Sequence, residues 1–240
     1  MKLDVLVFAA HPDDAELGCS GTIFKLIASG HSVGIIDLTR GQLGSRGSVE
    51  LRNEEAAAAS KIMGLAAREN LDFEDGYFVQ DKAHQEKIIR AIRKYTPEVV
   101  IANAPHDRHP DHGRGSRLVR DASFYSGLRK IETDLDGNAQ EAWRPKKLFF
   151  YIQDHALEPD FVVDIEPYWA KKKEAILAFQ SQFFDAENKS GEPQTYISSK
   201  GFFDFLEARA RDMGHRAGVL LGEGFISETP LLVKNPMELL

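Results

Sequence analysis

The stretch Val5-Leu6-Val7-Phe8-Ala9-Ala10-His11-Pro12-Asp13-Asp14 joins an apolar run of strand length to a cluster of imidazole and carboxylate side chains. The same order recurs in the middle of the chain, where Val99-Val100-Ile101-Ala102 precedes His109-Pro110-Asp111-His112. If both apolar runs are strands of one parallel sheet, their carboxyl ends meet at the edge where open α/β sheets bind ligands. Imidazole and carboxylate groups that converge on one point are typical of a first-row metal site, and zinc is the leading candidate.

Strand-like and helix-like segments alternate through the first half of the chain. The predicted strands are residues 4–9, 32–38, a short one near 70–72, and 99–102, and the predicted helices are residues 16–28, 50–63 and 82–95. This βαβα order predicts a Rossmann-like three-layer α/β/α fold with a mostly parallel sheet, right-handed crossovers and helices on both faces.

The second half predicts additions to the same domain. Loops are expected at residues 39–48 and 103–114 and an exposed connection at 134–144, strands at 148–152 and 161–165, and helices at 168–180 and 201–213. Because the chain contains no internal repeat, low-complexity tract or interdomain linker, we interpret residues 1–240 as a single domain with C-terminal elaborations.

Composition narrows the class of protein. The chain has 240 residues, 42% of them hydrophobic, and a formal charge of −7, which disfavours a nucleic-acid surface. It has no apolar run of membrane-spanning length, and the first apolar run is strand-sized and lacks a preceding basic segment, which argues against a signal peptide. Cys19 is the only cysteine and forms no internal disulfide, so the sequence predicts a cytoplasmic protein in which Cys19 is a buried helix residue.

The spacing within each cluster suits a catalytic metal site. His11 and Asp14 are three residues apart across Pro12, so one turn of chain can direct both side chains to a common point. His109 and His112 have the same spacing, so one can bind the metal while the other stands beside it. Three protein ligands and a water are typical of catalytic zinc, whereas structural zinc sites have four ligands and commonly use several cysteines, and this chain has only one.

Two plainer interpretations compete with the metal site. Strand-end aspartates often only cap the next helix, and a single histidine is commonly packed or solvated. The chain could also be a noncatalytic α/β module that binds a nucleotide or a partner. Against that module, the turn after the first strand lacks the Gly-x-Gly-x-x-Gly pattern that pyrophosphate binding needs.

Four motifs together resemble one known family. They are Ala10-His11-Pro12-Asp13-Asp14-Ala15-Glu16-Leu17-Gly18, Glu50-Leu51-Arg52-Asn53-Glu54-Glu55-Ala56, Asp107-Arg108-His109-Pro110-Asp111-His112 and Leu220-Leu221-Gly222-Glu223-Gly224-Phe225. On these motifs, which span almost the whole chain, the sequence resembles the PIG-L/LmbE-like family of zinc-dependent N-acetylglucosamine deacetylases. Within that family it is similar to the bacillithiol-biosynthesis deacetylases, which remove acetate from N-acetylglucosaminyl L-malate. One departure is Ala15, where many members carry a glutamate, and no metal or catalytic role falls on that position.

The resemblance implies one zinc ion per subunit, with His11, Asp14 and His112 as its ligands. Zinc would polarise the amide carbonyl and lower the pKa of a bound water. Asp13 matches the general base, and a protonated His109 would stabilise the negative charge of the transition state before acetate and a primary amine are released.

For Asp111 two interpretations stay open. It orients one of the neighbouring imidazoles, or it is only a residue at a helix N-terminus that the helix dipole favours.

The substrate is predicted to be an anionic N-acetylglucosaminide. Arginines are dense in the predicted loops at the carboxyl edge of the sheet, namely Arg40, Arg46, Arg52, Arg108 and Arg114. Guanidinium groups bind carboxylates such as those of malate, although solvated loop charges would look the same. We nominate Arg52, which matches a substrate-binding arginine of the family, and Arg108. The alternative is a zinc amidohydrolase of the same fold that acts on another N-acylated sugar or thiol conjugate.

Two further expectations concern aromatic residues and assembly. Tyr196 either lines the sugar pocket or packs against other aromatic side chains. Related deacetylases are often homo-oligomers, so self-association is expected, and Phe124, Tyr125, Phe183 and Phe184 could form a contact surface or belong to the core.

Overall fold

Strands and helices alternate in the computed structural model of the protein, which describes residues 1–183, 191, 193–199 and 201–239. The strands are β1 (Val5–Ala9), β2 (Val33–Thr39), β3 (Ala67–Phe73), β4 (Val99–Asn103), β5 (Asp134–Leu135), β6 (Asn138–Ala139), β7 (Lys147–Tyr151), β8 (Phe161–Asp164) and β9 (Gly222–Ser227). The helices are α1 (Asp14–Ala28), α2 (Val49–Met63), α3 (Lys82–Tyr95), α4 (Pro110–Tyr125), α5 (Trp169–Leu177) and α6 (Gly201–Ala217).

The main sheet has seven strands in the order β3-β2-β1-β4-β7-β9-β8. Strand β1 pairs in parallel with both β2 and β4, and β9 alone runs antiparallel, between β7 and β8. The predicted mostly parallel sheet is therefore confirmed. From β1 the chain builds outward on one side through β2 and β3, and then continues on the other side at β4, so a crevice opens at the carboxyl ends of β1 and β4.

Two apolar layers cover the two faces of the sheet. On one face, Phe8 and Ile36 pack with Ile92 of α3 and Leu118 of α4. On the other face, the side chains of Val7, Ile23 and Ile35 and the buried Cys19 belong to a second cluster around α1. Alternate residues of β1 and β2 thus point to opposite faces, as buried parallel strands require, and the three-layer prediction is confirmed.

Sequence patterning missed helix α4 and strand β9, and it placed residues 110–114 in a loop. Glycine lowers the propensity for helix and strand, but at these positions a side chain would not fit. A Cβ added to Gly113 in α4 would lie 2.9 Å from the carbonyl oxygen of Pro105, and one added to Gly224 in β9 would lie 2.8 Å from the sulfur of Met213. Tertiary packing therefore overrides local propensity in both elements.

The remaining elements differ from prediction mainly at their ends. Strand β3 is seven residues long where a short strand was expected, because its partly exposed, polar sequence hides the strand pattern. The connection at 134–144 contains the small β5–β6 hairpin, and α5 ends at Leu177, three residues before the predicted boundary at 180.

Helix α1 is broken at Cys19, whose φ of −146° and ψ of 17° are not helical. The backbone amides of residues 21 and 22 donate to the carboxylate of Glu223 on β9, at 3.0 and 2.7 Å. The Nζ of Lys172 donates to the same carboxylate at 2.6 Å and to the carbonyl oxygen of Leu17 at 2.9 Å. Strand β9 thus supplies the N-terminal cap for the second half of α1, and the Lys172 cation balances the buried charge of that cap.

The aromatic residues considered for self-association are dispersed. Phe124 is exposed and lies under the guanidinium of Arg144, Tyr125 is partly buried, and Phe183 belongs to the core. Phe184 lies outside the described residues. Self-association stays a prediction. Among the described residues, no helix has the length and apolar character that crossing a membrane requires.

Candidate active site

A cavity of about 310 Å³ opens at the carboxyl ends of β1 and β4. Seven of the eight nominated residues line it, namely His11, Asp13, Asp14, Arg52, Arg108, His109 and His112. The structure therefore brings both clusters to one place, as the strand-end argument predicted. The eighth residue, Asp111, lies behind the wall of the cavity and contacts His11.

Both clusters occupy turns that lead from a strand into a helix. After β1, Asp13 is the residue before α1, and its side chain makes no capping hydrogen bond. After β4, Pro110 is the first residue of α4, and Nδ1 of His109 accepts a hydrogen bond from the amide of Asp111. The helix start thus fixes the position of His109 and leaves the Asp13 carboxylate free for another partner.

The carboxylate of Asp14 lies at the centre of the site. One of its oxygens is 3.1 Å from Nε2 of His112, and the other is 3.4 Å from Nδ1 of His11. The side-chain amides of Asn103 and Gln153 each donate to it at 3.0 Å. Burial opposes ionisation, but the two imidazoles outweigh it and hold the pKa of Asp14 well below its usual range.

Hydrogen-bond partners assign the tautomers of His11 and His112 when these rings are neutral. Nδ1 of His112 is 2.6 Å from Asp107, and Nε2 of His11 is 3.0 Å from Asp75. A neutral imidazole has one N–H, which each ring donates to its outer carboxylate, so the lone pair of the other nitrogen faces Asp14. A carboxylate that orients a metal-binding histidine in this way is typical of zinc sites, and here such a carboxylate–histidine pair occurs twice.

The charges around these two rings also suit a cation. Burial disfavours their protonation, but Asp14 and Asp107 nevertheless raise the pKa of His112 to about 9. Against the same burial penalty, Asp111, Asp14 and Asp75 raise the pKa of His11 well above its ordinary value. Without a metal, protons on the rings balance the surrounding carboxylates, and a divalent ion would take over that role.

His109 is close to this group but has a different tautomer. Ring nitrogens of His11, His109 and His112 lie within 4.8 Å of one another. Because Nδ1 of His109 accepts from a backbone amide at 3.2 Å, a neutral ring carries its hydrogen on Nε2 and has no lone pair left for a metal. Burial, together with the neighbouring His11 and His112, lowers the pKa of His109. A neutral ring that donates through Nε2 is therefore favoured over the protonated ring expected from the sequence.

Asp13 is buried and held by Arg52. Nη1 of Arg52 is 3.4 Å from the Asp13 carboxylate and donates to the carbonyl oxygen of Pro12 at 3.0 Å. Burial raises the pKa of Asp13 to about 7, although Arg52 opposes the shift. With a φ of 116°, Asp13 adopts a left-handed backbone that non-glycine residues rarely take, and such strain is concentrated at functional sites.

The structure gives Asp111 both of the features that the sequence left open. It lies in the first turn of α4, and its carboxylate accepts from the amide of Gly76 at 2.8 Å and from Arg114. One of its oxygens is also 3.4 Å from Nε2 of His11. The two roles are compatible.

Of the five arginines expected in the edge loops, Arg52 lies on α2 and Arg114 on α4, and only Arg52 and Arg108 line the cavity. Arg108 donates to Asp154 at 3.0 Å and lies over the ring of Tyr196 at 4.5 Å. Tyr196 lines the cavity and also packs against Phe202, so both expectations for it describe its position. Arg40 and Arg114 pair with carboxylates elsewhere, and Arg46 donates to a backbone carbonyl.

Sequence reasoning missed four side chains that hold the site together, and these are Asp75, Asn103, Asp107 and Gln153. Three of them stand at or within two residues of the end of β3, β4 or β7. The rule that selected the two clusters could therefore have selected these three as well. Asp107 was part of a quoted motif but had been given no role.

Replacing Asp107 with asparagine should lower the affinity for zinc by about 10- to 100-fold. Asparagine keeps an oxygen for the backbone amides of Asp154 and His155, but it offers His112 an amide NH₂ donor where the carboxylate oxygen had been. Competition with a chromogenic chelator measures the affinity. His106→Gln, an exposed change in the same loop, is the control. Equal zinc affinities for Asp107→Asn and the control would contradict the orienting role of Asp107.

Comparison with known proteins identifies the family of the chain. Residues 6–123 match the family model described as "PIG-L: GlcNAc-PI de-N-acetylase". The chain is 32% identical over 190 residues to the diacetylchitobiose deacetylase of Thermococcus kodakarensis, a match that covers 75% of this chain and 70% of that protein. The chain belongs to the PIG-L family. The family expected from the sequence is confirmed.

Solved structures agree with this PIG-L assignment over nearly the whole chain. The conserved protein TT1542 from Thermus thermophilus is 41% identical, with a TM-score of 0.84 and coverage of 98% of both chains. The N,N'-diacetylchitobiose deacetylase from Pyrococcus horikoshii is 26% identical, with a TM-score of 0.80, and the match covers 93% of this chain and 82% of that one.

The residues that the PIG-L family model matches do not include every residue that lines the cavity. The matched residues include both histidine clusters and Arg52, which form the inner part of the cavity. Gln153, Tyr196 and Arg209, which also line the cavity, lie beyond residue 123. Part of the cavity wall therefore lies beyond the residues that the PIG-L family model matches.

Proposed function

We propose that this chain is a zinc-dependent N-deacetylase that hydrolyses the acetamide of an N-acetylglucosaminide. The observation that carries the proposal is that Nδ1 of His11 and Nε2 of His112 both face the carboxylate of Asp14, while the other nitrogen of each ring contacts an outer carboxylate. Family membership supports the same reaction class, because a relative that is 32% identical is a deacetylase by name.

The donor set fits zinc. Two imidazole nitrogens and one carboxylate are the ligands of many catalytic zinc sites, and they leave a position open for water or substrate. We therefore assign Nδ1 of His11, Asp14 and Nε2 of His112 as the ligands of one zinc ion per subunit. When bound, zinc would supply a Lewis acid for the amide carbonyl and for the attacking water.

Asp13 is the proposed general base. Its carboxylate takes a proton from the attacking water as the new C–O bond forms, and Arg52 holds it in place meanwhile. The same proton then passes to the departing nitrogen as the C–N bond breaks, so water and amide become acetic acid and a primary amine. The acid then gives up its proton, which leaves acetate and the protonated amine. A carboxyl whose pKa is raised by burial suits both halves of this transfer.

His109 is the proposed donor to the developing oxyanion. The Nε2–H of its neutral ring can hydrogen-bond to the former carbonyl oxygen as that oxygen gains negative charge. The neutral form needs no proton from solution. This modifies the role expected from the sequence, in which His109 was protonated.

We further propose N-acetylglucosaminyl L-malate, the substrate in bacillithiol biosynthesis, as the particular substrate. Arg52 and Arg108 line the cavity and are retained as substrate-binding candidates. Another N-acylated sugar or thiol conjugate is the alternative. Among these alternatives an N-acetylglucosamine disaccharide is favoured, because the Thermococcus kodakarensis relative is a diacetylchitobiose deacetylase by name. A cytoplasmic homo-oligomer remains our expectation.

Purification with metal analysis, followed by an acetate-release assay, tests the proposal. The panel is N-acetylglucosaminyl L-malate, N,N'-diacetylchitobiose and N-acetylglucosamine. We expect about one zinc per chain, release of acetate from at least one glucosaminide, loss of activity with a chelator, and recovery on adding zinc. A protein that binds no zinc and releases no acetate from any panel member would instead be the noncatalytic binding module.

A further inference from the structure

Arg209 of α6 lies on the wall of the cavity next to α1. Its Nη2 donates to the carbonyl oxygen of Leu17 at 2.8 Å. In a regular helix that carbonyl would bond the amide of Gly21, but the break at Cys19 directs that amide to Glu223 instead. The break in α1 thus provides an anchor that fixes the guanidinium at one corner, with Phe205 as its apolar neighbour.

The charge of Arg209 has no carboxylate in direct contact among the residues that the structure describes. The other two arginines that line the cavity do have one, since Arg52 pairs with Asp13 and Arg108 with Asp154. The remaining nearby acids have their own partners, with Glu223 held by Lys172 and Asp107 by His112. A partly buried guanidinium without a carboxylate in direct contact is unfavourable in the free protein, and an anion in the cavity would relieve it.

The remaining donors of Arg209 suit a planar anion. With one Nη2 hydrogen on Leu17, the second Nη2 hydrogen still forms a parallel pair with either the Nε or an Nη1 hydrogen, and that edge stays available for a carboxylate. Leu17 lies three residues beyond Asp14 on α1, about one helical turn away from the proposed metal ligands. Asp14 and Arg209 both line the cavity, so a sugar whose acetamide reaches Asp14 could present the group attached to it to Arg209.

We propose that Arg209 determines specificity by binding a carboxylate on the group attached to the sugar. The proposal rests on the proposed function and names the substrate class of that site, an N-acetylglucosaminide with an acidic aglycone. It also shifts the anion-binding role away from Arg52 and Arg108, whose charges are already matched by Asp13 and Asp154.

The test compares N-acetylglucosaminyl L-malate with its dimethyl ester, which lacks both negative charges and adds two methyl groups. In Arg209→Gln, kcat/KM for the acid should fall by about 10- to 100-fold, mainly through KM, because a charged hydrogen bond is lost. The same variant should change little on the ester. Arg209→Lys should lose less on the acid, since it keeps the charge without the planar fork. Arg211→Gln is the matched control, because Arg211 lies on the same helix and pairs with the exposed Glu207.

Two outcomes would overturn the proposal. One is an equal loss on acid and ester, which would mean that Arg209 only supports the wall. The other is an Arg209→Gln enzyme that keeps the full preference for the acid. Thermal unfolding of the Arg209 and Arg211 variants separates loss of the fold from loss of binding. If Arg209→Gln does not fold, the comparison of acid and ester is made with Arg209→Lys instead.

Calorimetric measurement of binding distinguishes a failure of the proposed reaction from a failure of the proposed role of Arg209. If the wild-type protein releases no acetate from the malyl glycoside, the proposed reaction on that substrate fails, and binding of the same glycoside is measured instead. Weaker binding to Arg209→Gln than to Arg211→Gln would uphold the role of Arg209. Equal binding to both variants, or no binding to the wild-type protein, would overturn it.

Discussion

Replacing His112 with glutamine is expected to remove the zinc and to lower kcat/KM for acetate release by about three orders of magnitude or more. Nε2 of His112 is the lone-pair donor that faces Asp14, and Nδ1 is fixed by Asp107. Glutamine lacks an sp² nitrogen lone pair, so the site would keep only His11 and Asp14. Two ligands hold zinc far more weakly than three, and the Lewis acid would be absent from the reaction.

Zinc content per chain after dialysis and the shift of Tm on adding zinc check this result. The wild-type protein should gain stability as zinc rises, because the ion binds only the folded state, whereas the variant should not. The control is His215→Gln, an exposed change on α6. A His112→Gln protein that retains zinc and activity would show that His112 is not a ligand.

The second large effect is expected for Asp13→Asn. Loss of the general base should lower kcat by about 10²- to 10⁴-fold while zinc content stays unchanged. Asparagine matches the size of aspartate and tolerates a positive φ, so the strained turn before α1 should persist. It cannot accept the proton of the attacking water.

Acetate release and zinc content, measured on the same preparation, separate the role of Asp13 from that of a ligand. Asp81→Asn, at the exposed N-terminus of α3, is a control for the same chemical change at a helix cap. If zinc content fell together with the rate, Asp13 would belong among the ligands. A kcat like that of the control would remove it from the mechanism.

The strand-end rule explains how much of the site was predictable. His11, Asp14, His109 and His112 lie next to strands that are apolar on both faces, so the strands and their ends are visible in the sequence. Asp75 supports His11 across 64 residues of chain, from the end of a strand too polar to recognise at full length. Its position follows from the packing of loops against one another, which no local pattern encodes.

Local sequence patterns also could not predict the protonation state of His109 or the proposed role of Arg209. A sequence shows that a histidine stands at a helix start, but only the geometry shows that its Nδ1 accepts from the backbone and that a neutral ring therefore donates from Nε2. The importance of Arg209 depends on a helix break far away in the sequence, at Cys19. That break in turn depends on a carboxylate from β9. Local propensity cannot predict a feature that depends on successive contacts between residues distant in the sequence.

The position of β9 in the sheet has a consequence for how the protein is assembled. Strands β7 and β8 precede it in the chain, and β9, which follows α6, pairs with both. Strand β7 also pairs with β4, whereas the neighbour of β8 in the described sheet is β9. On the ribosome, β8 therefore remains an unpaired edge until residues 222–227 emerge. The first half of the chain carries the reactive groups, but the cap of α1 and the anchor for Arg209 form only when this late strand inserts.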